Sequence, residues 1–356
     1  MLHVILLLGC AVTIYLACEA FVNAVEWLGA RLRVGPVAVG TILAAVGTAL
    51  PESVVTFVAV LFGGERGGDI GVGAALGGPL VVGTLAYAVV GIMLLRQGSS
   101  MPEPADGGDV IRPGVDGAST SAARTARDLG LGGIDTEDLA RDQSWFLAIF
   151  AVKVALGLIA FAWKPWLGVL FLLAYALYAY REMRGTGEHA SEDDLQPLTF
   201  QRNRPSPTTF AVVAQTLVTL VVIFAASQLF VAQLDWAGPA LGLPAIVVAL
   251  LLSPVATELP EIMNAIIWVR QGKTRLALGN ISGAMMIQAT VPSALGVLFT
   301  AWTFDTPLLL AGIATAASVT YLLVLFRRRT VTPARLVVAG GFYLAFAAAL
   351  VVDLAG

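Results

Sequence analysis

Two short stretches of this chain nearly repeat each other, namely Gly47-Thr48-Ala49-Leu50-Pro51-Glu52 and Ala256-Thr257-Glu258-Leu259-Pro260-Glu261. Each places a hydroxyl, a proline and a carboxylate inside an apolar run that is long enough to cross a bilayer. An ionisable side chain at that depth is costly and typically marks a functional site. The two stretches therefore indicate a membrane protein with a pair of related polar sites.

The composition supports this membrane assignment. Of the 356 residues, 58% are hydrophobic and 13% are charged, and the mean hydropathy is +0.83. A soluble globule needs more polar surface than that. Cys10 and Cys18 lie in one apolar segment, eight residues apart, so we expect neither a disulfide between them nor a thiolate metal site.

Apolar runs of about twenty residues, separated by polar or glycine-proline breaks, predict ten transmembrane helices. We place them near residues 3–27, 36–62, 69–95, 144–163, 165–181, 208–233, 243–269, 274–300, 306–326 and 334–354. The alternate connections hold 18 of the 21 Lys and Arg residues. By the positive-inside rule these connections face the cytoplasm, which places both termini outside.

The two halves of the chain are predicted to be an inverted repeat. Phe21, Glu26, Thr48 and Glu52 match Phe230, Asp235, Thr257 and Glu261 at a constant offset of 209. Because each half has five helices, the second half enters the membrane from the opposite side, an arrangement typical of alternating access around a midplane site. The predicted fold is an all-α membrane protein with ten helices in two inverted five-helix repeats.

Linkers divide these repeats into five regions. We expect helices 1–3 of the first repeat in residues 1–96 and helices 4–5 in residues 143–181, with a disordered cytoplasmic linker, residues 97–142, between them. A second cytoplasmic linker, residues 182–207, is expected to lead into the second repeat, residues 208–356. The first linker is rich in Gly, Ser, Asp and Ala, with a possible short helix from Asp135 to Arg141. The acidic cluster of the second linker lacks the spacing of a calcium-binding loop.

The paired motifs have the chemistry of a cation site. Proline has no amide hydrogen, so Pro51 should free the carbonyl of Gly47, and Pro260 that of Ala256. In each motif the threonine and the final glutamate are four residues apart, which places Thr48 with Glu52 and Thr257 with Glu261 on one helix face. Hydroxyl, carboxylate and carbonyl oxygens are the ligands that hard cations require. The alternative is that each glutamate makes a structural hydrogen bond or an ion pair.

The third and eighth spans are predicted to form the walls of this site. Gly73 with Gly77, and Gly279 with Gly283, are small-residue pairs that permit close helix packing. Asn280 and Gln288 continue along the face of the eighth span. The side chains of Asn280 and Gln288 either supply amide oxygens as cation ligands or form hydrogen bonds with a neighbouring helix.

On these residues the chain resembles the calcium/cation antiporters, whose best-known members are the sodium/calcium exchangers. That family has ten helices in two inverted halves, each with a Gly-Thr-Ser-x-Pro-Glu signature followed one helix later by Gly-Asn-x-x-Gly-Ser-Asn. The resemblance covers all ten spans and implies that Thr48, Glu52, Thr257 and Glu261 are cation ligands. It further implies a transporter that uses no cofactor and whose substrates are cations.

The chain also departs from the family pattern. The signature serine is Ala49 in the first half and Glu258 in the second, and Gly77-Gly78-Pro79 stands where Gly-Ser-Asn is expected. Several hydroxyl and amide ligands, mostly those expected to serve sodium, are therefore missing. We hypothesise proton coupling through Glu258 or a signature glutamate, because three carboxylates in one dry site cannot all stay ionised without a cation. Alternatively Glu258 pairs with Lys153, or Lys153 extends to a membrane interface.

These features predict a secondary antiporter that exchanges a divalent cation, with calcium as the leading candidate, for protons or sodium. The alternative is a degenerate family member that no longer transports and acts as a membrane sensor or partner protein. We find neither a His-Glu-x-x-His nor a Gly-x-Ser-x-Gly motif, so we do not expect an enzyme. The expected partners are the lipid bilayer and small inorganic cations, with no nucleic acid. Arginine far outnumbers lysine, which suggests a bacterial inner membrane.

Overall fold

A computed structural model describes residues 2–32, 34, 38–49, 53, 64–98, 136–183, 195–240, 251 and 253–355. Within these ranges all regular secondary structure is helical. In chain order the helices are α1 Leu2–Leu32, α2 Val39–Ala49, α3 in three continuous segments (Gly64–Val81, the π-helical Val82–Ala86, and Tyr87–Gly98), α4 Thr136–Leu158, α5 Gly168–Met183, α6 Thr209–Ala240, α7 in two segments (Ser253–Thr257 and Leu259–Arg270), α8 Thr274–Phe299, α9 Thr306–Arg327 and α10 Pro333–Ala355.

The ten helices confirm the predicted number of spans, although the predicted spans 36–62 and 243–269 lie partly outside the described residues. Within the described ranges, α1, α6, α8, α9 and α10, together with the apolar part of α3, are long and apolar enough to cross a bilayer. The boundary between the fourth and fifth predicted spans is a 3₁₀ turn at Lys164–Leu167. There the ammonium of Lys164 donates to the carbonyls of Leu156, Ile159 and Trp302 at 2.8 to 3.0 Å, which closes the end of α4.

The contacts between helix ends show the inverted arrangement. Arg31, near the end of α1, donates to the carbonyl of Pro207, which precedes α6. Glu26 of α1 pairs with Lys273, which precedes α8. The side chain of Gln97, near the end of α3, donates to the carbonyl of Val269, near the end of α7. One end of the bundle, called here the arginine-rich end, therefore collects the ends of α1, α3 and α7 and the starts of α6 and α8.

Helix α8 lies at the centre of the bundle. In its most apolar stretch 83% of the residues are buried, compared with 28% in α10. It packs against α2, α3, α4, α5 and α7, so lipid contact falls mainly to the outer helices. The polar residues Asn280, Ser282 and Gln288 are therefore held inside protein.

Two of the predicted close contacts at glycine are present. A Cβ atom at Gly283 would lie 2.0 Å from the carbonyl oxygen of Thr41, so α2 and α8 cross there backbone to backbone. A Cβ atom at Gly77 would lie 2.6 Å from Cγ of Pro254 on α7. At Gly73 none of the described atoms comes within 4 Å of an added Cβ atom, so the predicted close contact is not found among the described residues.

Part of the second predicted linker is folded against the bundle. The indole nitrogen of Trp27 donates to the carbonyl of Gln196 at 2.8 Å, and Leu198 is fully buried. The amide nitrogen of Phe200 donates to the side chain of Gln215 on α6 at 2.8 Å. The segment before α6 is thus held by both α1 and α6. The acidic residues Glu188, Glu192, Asp193 and Asp194 and residues 99–135 lie outside the described residues, whereas Glu182 of the same acidic cluster is buried and pairs with Arg141.

Candidate functional site

Helix α7 is interrupted at the second signature, as the sequence predicts. Its two segments meet at Glu258, whose φ of −86° and ψ of 3° depart from helical values. Pro260 at the start of the second segment cannot donate to the carbonyl of Ala256, which removes one helical hydrogen bond at the break. A broken helix at membrane depth is tolerated only where it is buried in protein or lines a cavity. Pro51 and Glu52, where the repeat predicts a corresponding break, lie outside the described residues.

Glu258 points into the protein between three helices. Its side chain is fully buried, and Oε2 accepts a hydrogen bond of 2.5 Å from Nε2 of Gln288 on α8. A Cβ atom at Gly78 of α3 would lie 2.9 Å from Oε1. The carboxylate of Glu258 is therefore enclosed by α3, α7 and α8.

Glu261 lies on the same helix break and is also buried, with 1% of its surface exposed. Nδ2 of the fully buried Asn280 donates to the carbonyl of Glu261 at 3.2 Å. Among the described residues Oδ1 of Asn280 has no hydrogen-bond donor. Asn280 thus binds the neighbouring helix through its nitrogen while its oxygen remains available to a ligand, so the two sequence interpretations of this residue are compatible.

The two signature threonines each bind a carbonyl of their own helix. Oγ1 of Thr48 donates to Ala44, and Oγ1 of Thr257 donates to Pro254, both at 3.1 Å. A hydroxyl that donates its proton in this way keeps its oxygen lone pairs for a cation. Gly47 of the first signature packs against Phe21, whose Cζ would lie 2.7 Å from an added Cβ atom. The contribution of these residues to a shared site stays a prediction.

Lys153 of α4 is fully buried near this region. Its ammonium donates to the carbonyl of Ala75 on α3 at 2.5 Å and lies 3.5 Å from the carbonyl of Gln288 on α8. The alternative that Lys153 extends to a membrane interface is therefore wrong. Gln288 contacts Lys153 through its backbone and Glu258 through its side chain, which couples the two charged groups.

Sequence reasoning missed Asn264, which is fully buried on α7. Neither Oδ1 nor Nδ2 of Asn264 has a hydrogen-bond partner among the described residues. It follows Glu261 by three positions, so the two side chains lie on the same helix face. An amide at that spacing in an apolar run was the signal that would have identified it.

A second missed group lies at the arginine-rich end, before the apolar part of α4. Asp142 has 1% of its surface exposed, and its Oδ2 accepts a hydrogen bond of 2.8 Å from Ser282 on α8. Burial and then the charge of Glu182 raise the pKa of Asp142 to about 7, although Ser282 and Arg141 act in the opposite direction. The folded protein therefore holds a proton here that the unfolded chain releases, and the stability from this proton is lost as the pH rises towards 7.

Among the described residues no three His, Cys, Asp or Glu side chains are grouped closely enough to hold a metal ion. A cation bound beside Glu258 and Glu261 would need further oxygens. Amide, hydroxyl and carbonyl oxygens of α7 and α8 are available for this, and Glu52 is the carboxylate that the repeat predicts on the other side. This donor set fits a cation that passes through the protein as a substrate.

Comparisons with solved structures agree with the fold. The sodium-calcium exchanger NCX_Mj, soaked with 10 mM Na⁺ and zero Ca²⁺, matches with a TM-score of 0.70 at 17% identity, over 98% of this chain and 99% of that one. The same exchanger soaked with zero Na⁺ and Ca²⁺ matches with a TM-score of 0.69, also at 17% identity, over 98% and 99% of the two chains. These matches show the ten-helix architecture.

Two related sequences also match. The inner membrane protein YrbG of Escherichia coli (strain K12) is 25% identical over 305 residues, which are 85% of this chain and 81% of that protein. The putative antiporter CaxA of Alkalimonas amylolytica is 28% identical over 139 residues, 39% of this chain. That match spans less than half of CaxA, 43% of its length.

The profile of the family described as "Sodium/calcium exchanger protein" matches residues 2–183 and 211–353, and so covers both repeats. Members of this family are membrane transporters, not enzymes, and the cations they carry are substrates, so no cofactor is involved. With its ten helices, its inverted halves and its broken helix at the second signature, the chain belongs to the sodium/calcium exchanger family of cation antiporters.

Proposed function

We propose that the protein is a secondary antiporter that moves a divalent cation, calcium, across the membrane in exchange for protons or sodium, by alternating access between its two inverted halves. The observation that carries this proposal is the pair of buried carboxylates, Glu258 and Glu261, at the break of α7. Buried carboxylates are costly unless a positive charge compensates them. A divalent cation supplies that compensation in the transport cycle.

The choice of calcium rests on the ligand chemistry. Calcium takes six to eight oxygen ligands in flexible geometry, from carboxylates, amides, carbonyls and water. The region around Glu261 offers a carboxylate, the amide oxygen of Asn280 and the hydroxyl of Thr257. In the proposed site Glu52, Thr48 and the carbonyls of Gly47 and Ala256 supply the remaining oxygens. Nitrogen and sulfur ligands, which softer metals prefer, are not part of this set.

The proposal is tested by calcium uptake into proteoliposomes that contain the purified protein. Glu261→Gln and Glu52→Gln each remove one negative charge while keeping the side-chain shape, and we expect either change to reduce radioactive calcium binding and flux by at least a hundredfold. Glu137→Gln is the matched control, because Glu137 is an exposed carboxylate paired with Arg329 at the arginine-rich end. If the wild-type protein neither binds nor moves any tested cation, the non-transporting alternative replaces the antiporter.

The counter-ion is identified by imposing one gradient at a time. Calcium flux that follows a pH gradient without sodium supports the proton alternative, which the loss of the signature serine at Ala49 and the presence of Glu258 favour. Flux that follows a sodium gradient and ignores a pH gradient overturns the proton alternative and leaves sodium as the counter-ion.

We place the protein in the bacterial inner membrane with the arginine-rich end in the cytoplasm and both termini outside. The support is the positive-inside rule applied to the arginine distribution. A cysteine introduced at Asp305, between α8 and α9, should react with an impermeant maleimide in intact cells. A cysteine at Arg328, between α9 and α10, should react only after permeabilisation. The reverse labelling pattern would invert this orientation.

A further inference from the structure

Two prolines inside the central helices leave carbonyl groups without their helical donors. Pro79 lies within α3 and Pro292 within α8. Because proline has no amide hydrogen, each removes the hydrogen bond to the carbonyl four residues earlier. The two carbonyls are those of Ala75 and Gln288.

Both of these carbonyls face the ammonium of Lys153. Nζ lies 2.5 Å from the oxygen of Ala75 and 3.5 Å from that of Gln288. The ring of Phe150 lies 5.2 Å from the same nitrogen, a distance at which an aromatic face attracts a cation. One positive group thus bridges the proline-containing segments of α3 and α8.

The backbone of α4 is held in place at this residue. The indole nitrogen of Trp302 donates to the carbonyl of Lys153 at 3.0 Å, and Trp302 is 1% exposed. The side chain of Gln288 meanwhile donates to Glu258. Gln288 therefore links the two charged groups, because its backbone carbonyl contacts the ammonium of Lys153 and its side chain donates to the carboxylate of Glu258.

Lys164, which is also buried, binds carbonyls of a different kind from those that Lys153 binds. Lys164 also binds backbone carbonyls, but these are Leu156, Ile159 and Trp302 at the end of α4 and in the loop that follows α8. That arrangement completes a helix end. The partners of Lys153 are instead interior carbonyls of two other helices, each deprived of its helical donor by a proline, and the carbonyl of Gln288 also accepts from the hydroxyl of Ser293 at 3.5 Å. Carbonyls at interrupted helices are groups that also coordinate monovalent cations in transporters.

We propose that Lys153 is a tethered cation, whose ammonium permanently occupies the position of one monovalent ion in the cation site. This inference rests on the proposed antiport function. Beside the two described buried carboxylates, Glu258 and Glu261, the ammonium supplies the positive charge that a monovalent ion would otherwise bring, so a divalent cation can bind without that second ion. This also explains why the hydroxyl and amide ligands of the family signature are missing. A position filled by the ammonium of Lys153 does not need side chains that bind sodium.

The proposal is tested by thermal unfolding of the purified full chain in sodium chloride and in choline chloride at equal ionic strength. Lys153→Met keeps most of the side-chain volume and removes the charge, and Lys153→Ala opens space for an ion. If the ammonium replaces a monovalent ion, sodium should raise the Tm of these variants by about 5 °C more than that of wild type at saturating concentration. Lys164→Met is the matched control and should lose stability without gaining a sodium response.

The inference is overturned if sodium shifts the Tm of wild type and of the Lys153 variants equally. It is also overturned if the variants fail to fold in both salts, because sodium then does not replace the ammonium. Folding in sodium chloride alone supports it. These outcomes require no transport, so they are distinguishable from a failure of the proposed function, which would appear as absent calcium binding and flux in wild type. Where wild type transports calcium, Lys153→Met should move one more monovalent cation per calcium ion.

Discussion

Substitution of Gly78 by alanine tests whether the space beside Glu258 determines cation binding. The added Cβ atom would lie 2.9 Å from Oε1 of Glu258 and 3.1 Å from Cδ of Gln288. Carbon atoms do not approach oxygen that closely without displacement, and overpacking of this kind costs about 1–3 kcal/mol. The same substitution raises helix propensity by about 1 kcal/mol. We therefore expect a net change in stability between zero and about 2 kcal/mol of destabilisation, with displacement of both side chains.

The expected effect on the proposed function is larger. If half of the packing cost, about 0.5–1.5 kcal/mol, falls on the cation-bound state alone, the Kd for calcium rises about two- to tenfold, since each 1.4 kcal/mol is a factor of ten. Radioactive calcium binding measures the Kd, and thermal unfolding measures the stability.

Gly73→Ala is the matched control for Gly78→Ala. It lies on the same helix, and none of the described atoms comes within 4 Å of an added Cβ atom, so only the gain in helix propensity applies. A second substitution, Glu258→Ser, removes the clashing atoms and should recover most of the stability lost in Gly78→Ala, which a double-mutant cycle measures. If Gly78→Ala and Gly73→Ala have equal stability and equal Kd, the proposed enclosure of Glu258 by α3 is refuted.

Three further predictions concern other parts of the chain. Asn264→Leu replaces a buried amide that has no described partner, so the Tm should hold or rise while the calcium Kd rises about tenfold; a lower Tm with an unchanged Kd would make Asn264 purely structural. Because its pKa is raised to about 7, Asp142 should make wild type lose roughly 4 kcal/mol of folding stability between pH 4 and 7, and melts across this range should show most of the loss removed in Asp142→Asn but kept in the control Glu137→Gln, an exposed carboxylate paired with Arg329. Trp27→Phe deletes the donor to Gln196, so it should cost about 1 kcal/mol and speed hydrogen exchange in residues 195–201; unchanged exchange would show that other contacts hold the segment.

The spans were predictable because membrane depth leaves a strong signal in the sequence. An apolar run must be long enough to cross the bilayer, and arginine marks the connections on one side. The start of α4 was less predictable, since Thr136 to Gln143 is polar and its helix depends on contacts such as that between Asp142 and Ser282. The folded segment before α6 was not predictable for the same reason, because Trp27 and Gln196 are far apart in the chain.

The candidate site was partly predictable from the repeat. Its match to Glu52 in the other half distinguishes Glu261 from an ordinary buried charge, whereas Glu258 has Ala49 at the equivalent position. The proline predicts where α7 breaks. The partners of Lys153 could not be predicted from the repeat, because the spacing of residues along one helix does not show which carbonyl of another helix lies opposite. Pro79 and Pro292 do identify the carbonyls that lack a donor, but the structure is needed to bring both to one ammonium.

The departures from family symmetry compensate one another in volume and in charge. Where the family has a serine on the third helix this chain has Gly78, and where it has a serine in the second signature this chain has Glu258. The structure places these two positions in contact, so the side chain lost on α3 makes room for the longer one on α7. The added negative charge of Glu258 is in turn accompanied by the buried positive charge of Lys153, joined to it through Gln288. A site altered only by loss of function would not need paired changes of this kind, and their presence argues for a cation site that has been rebuilt around a different balance of ions.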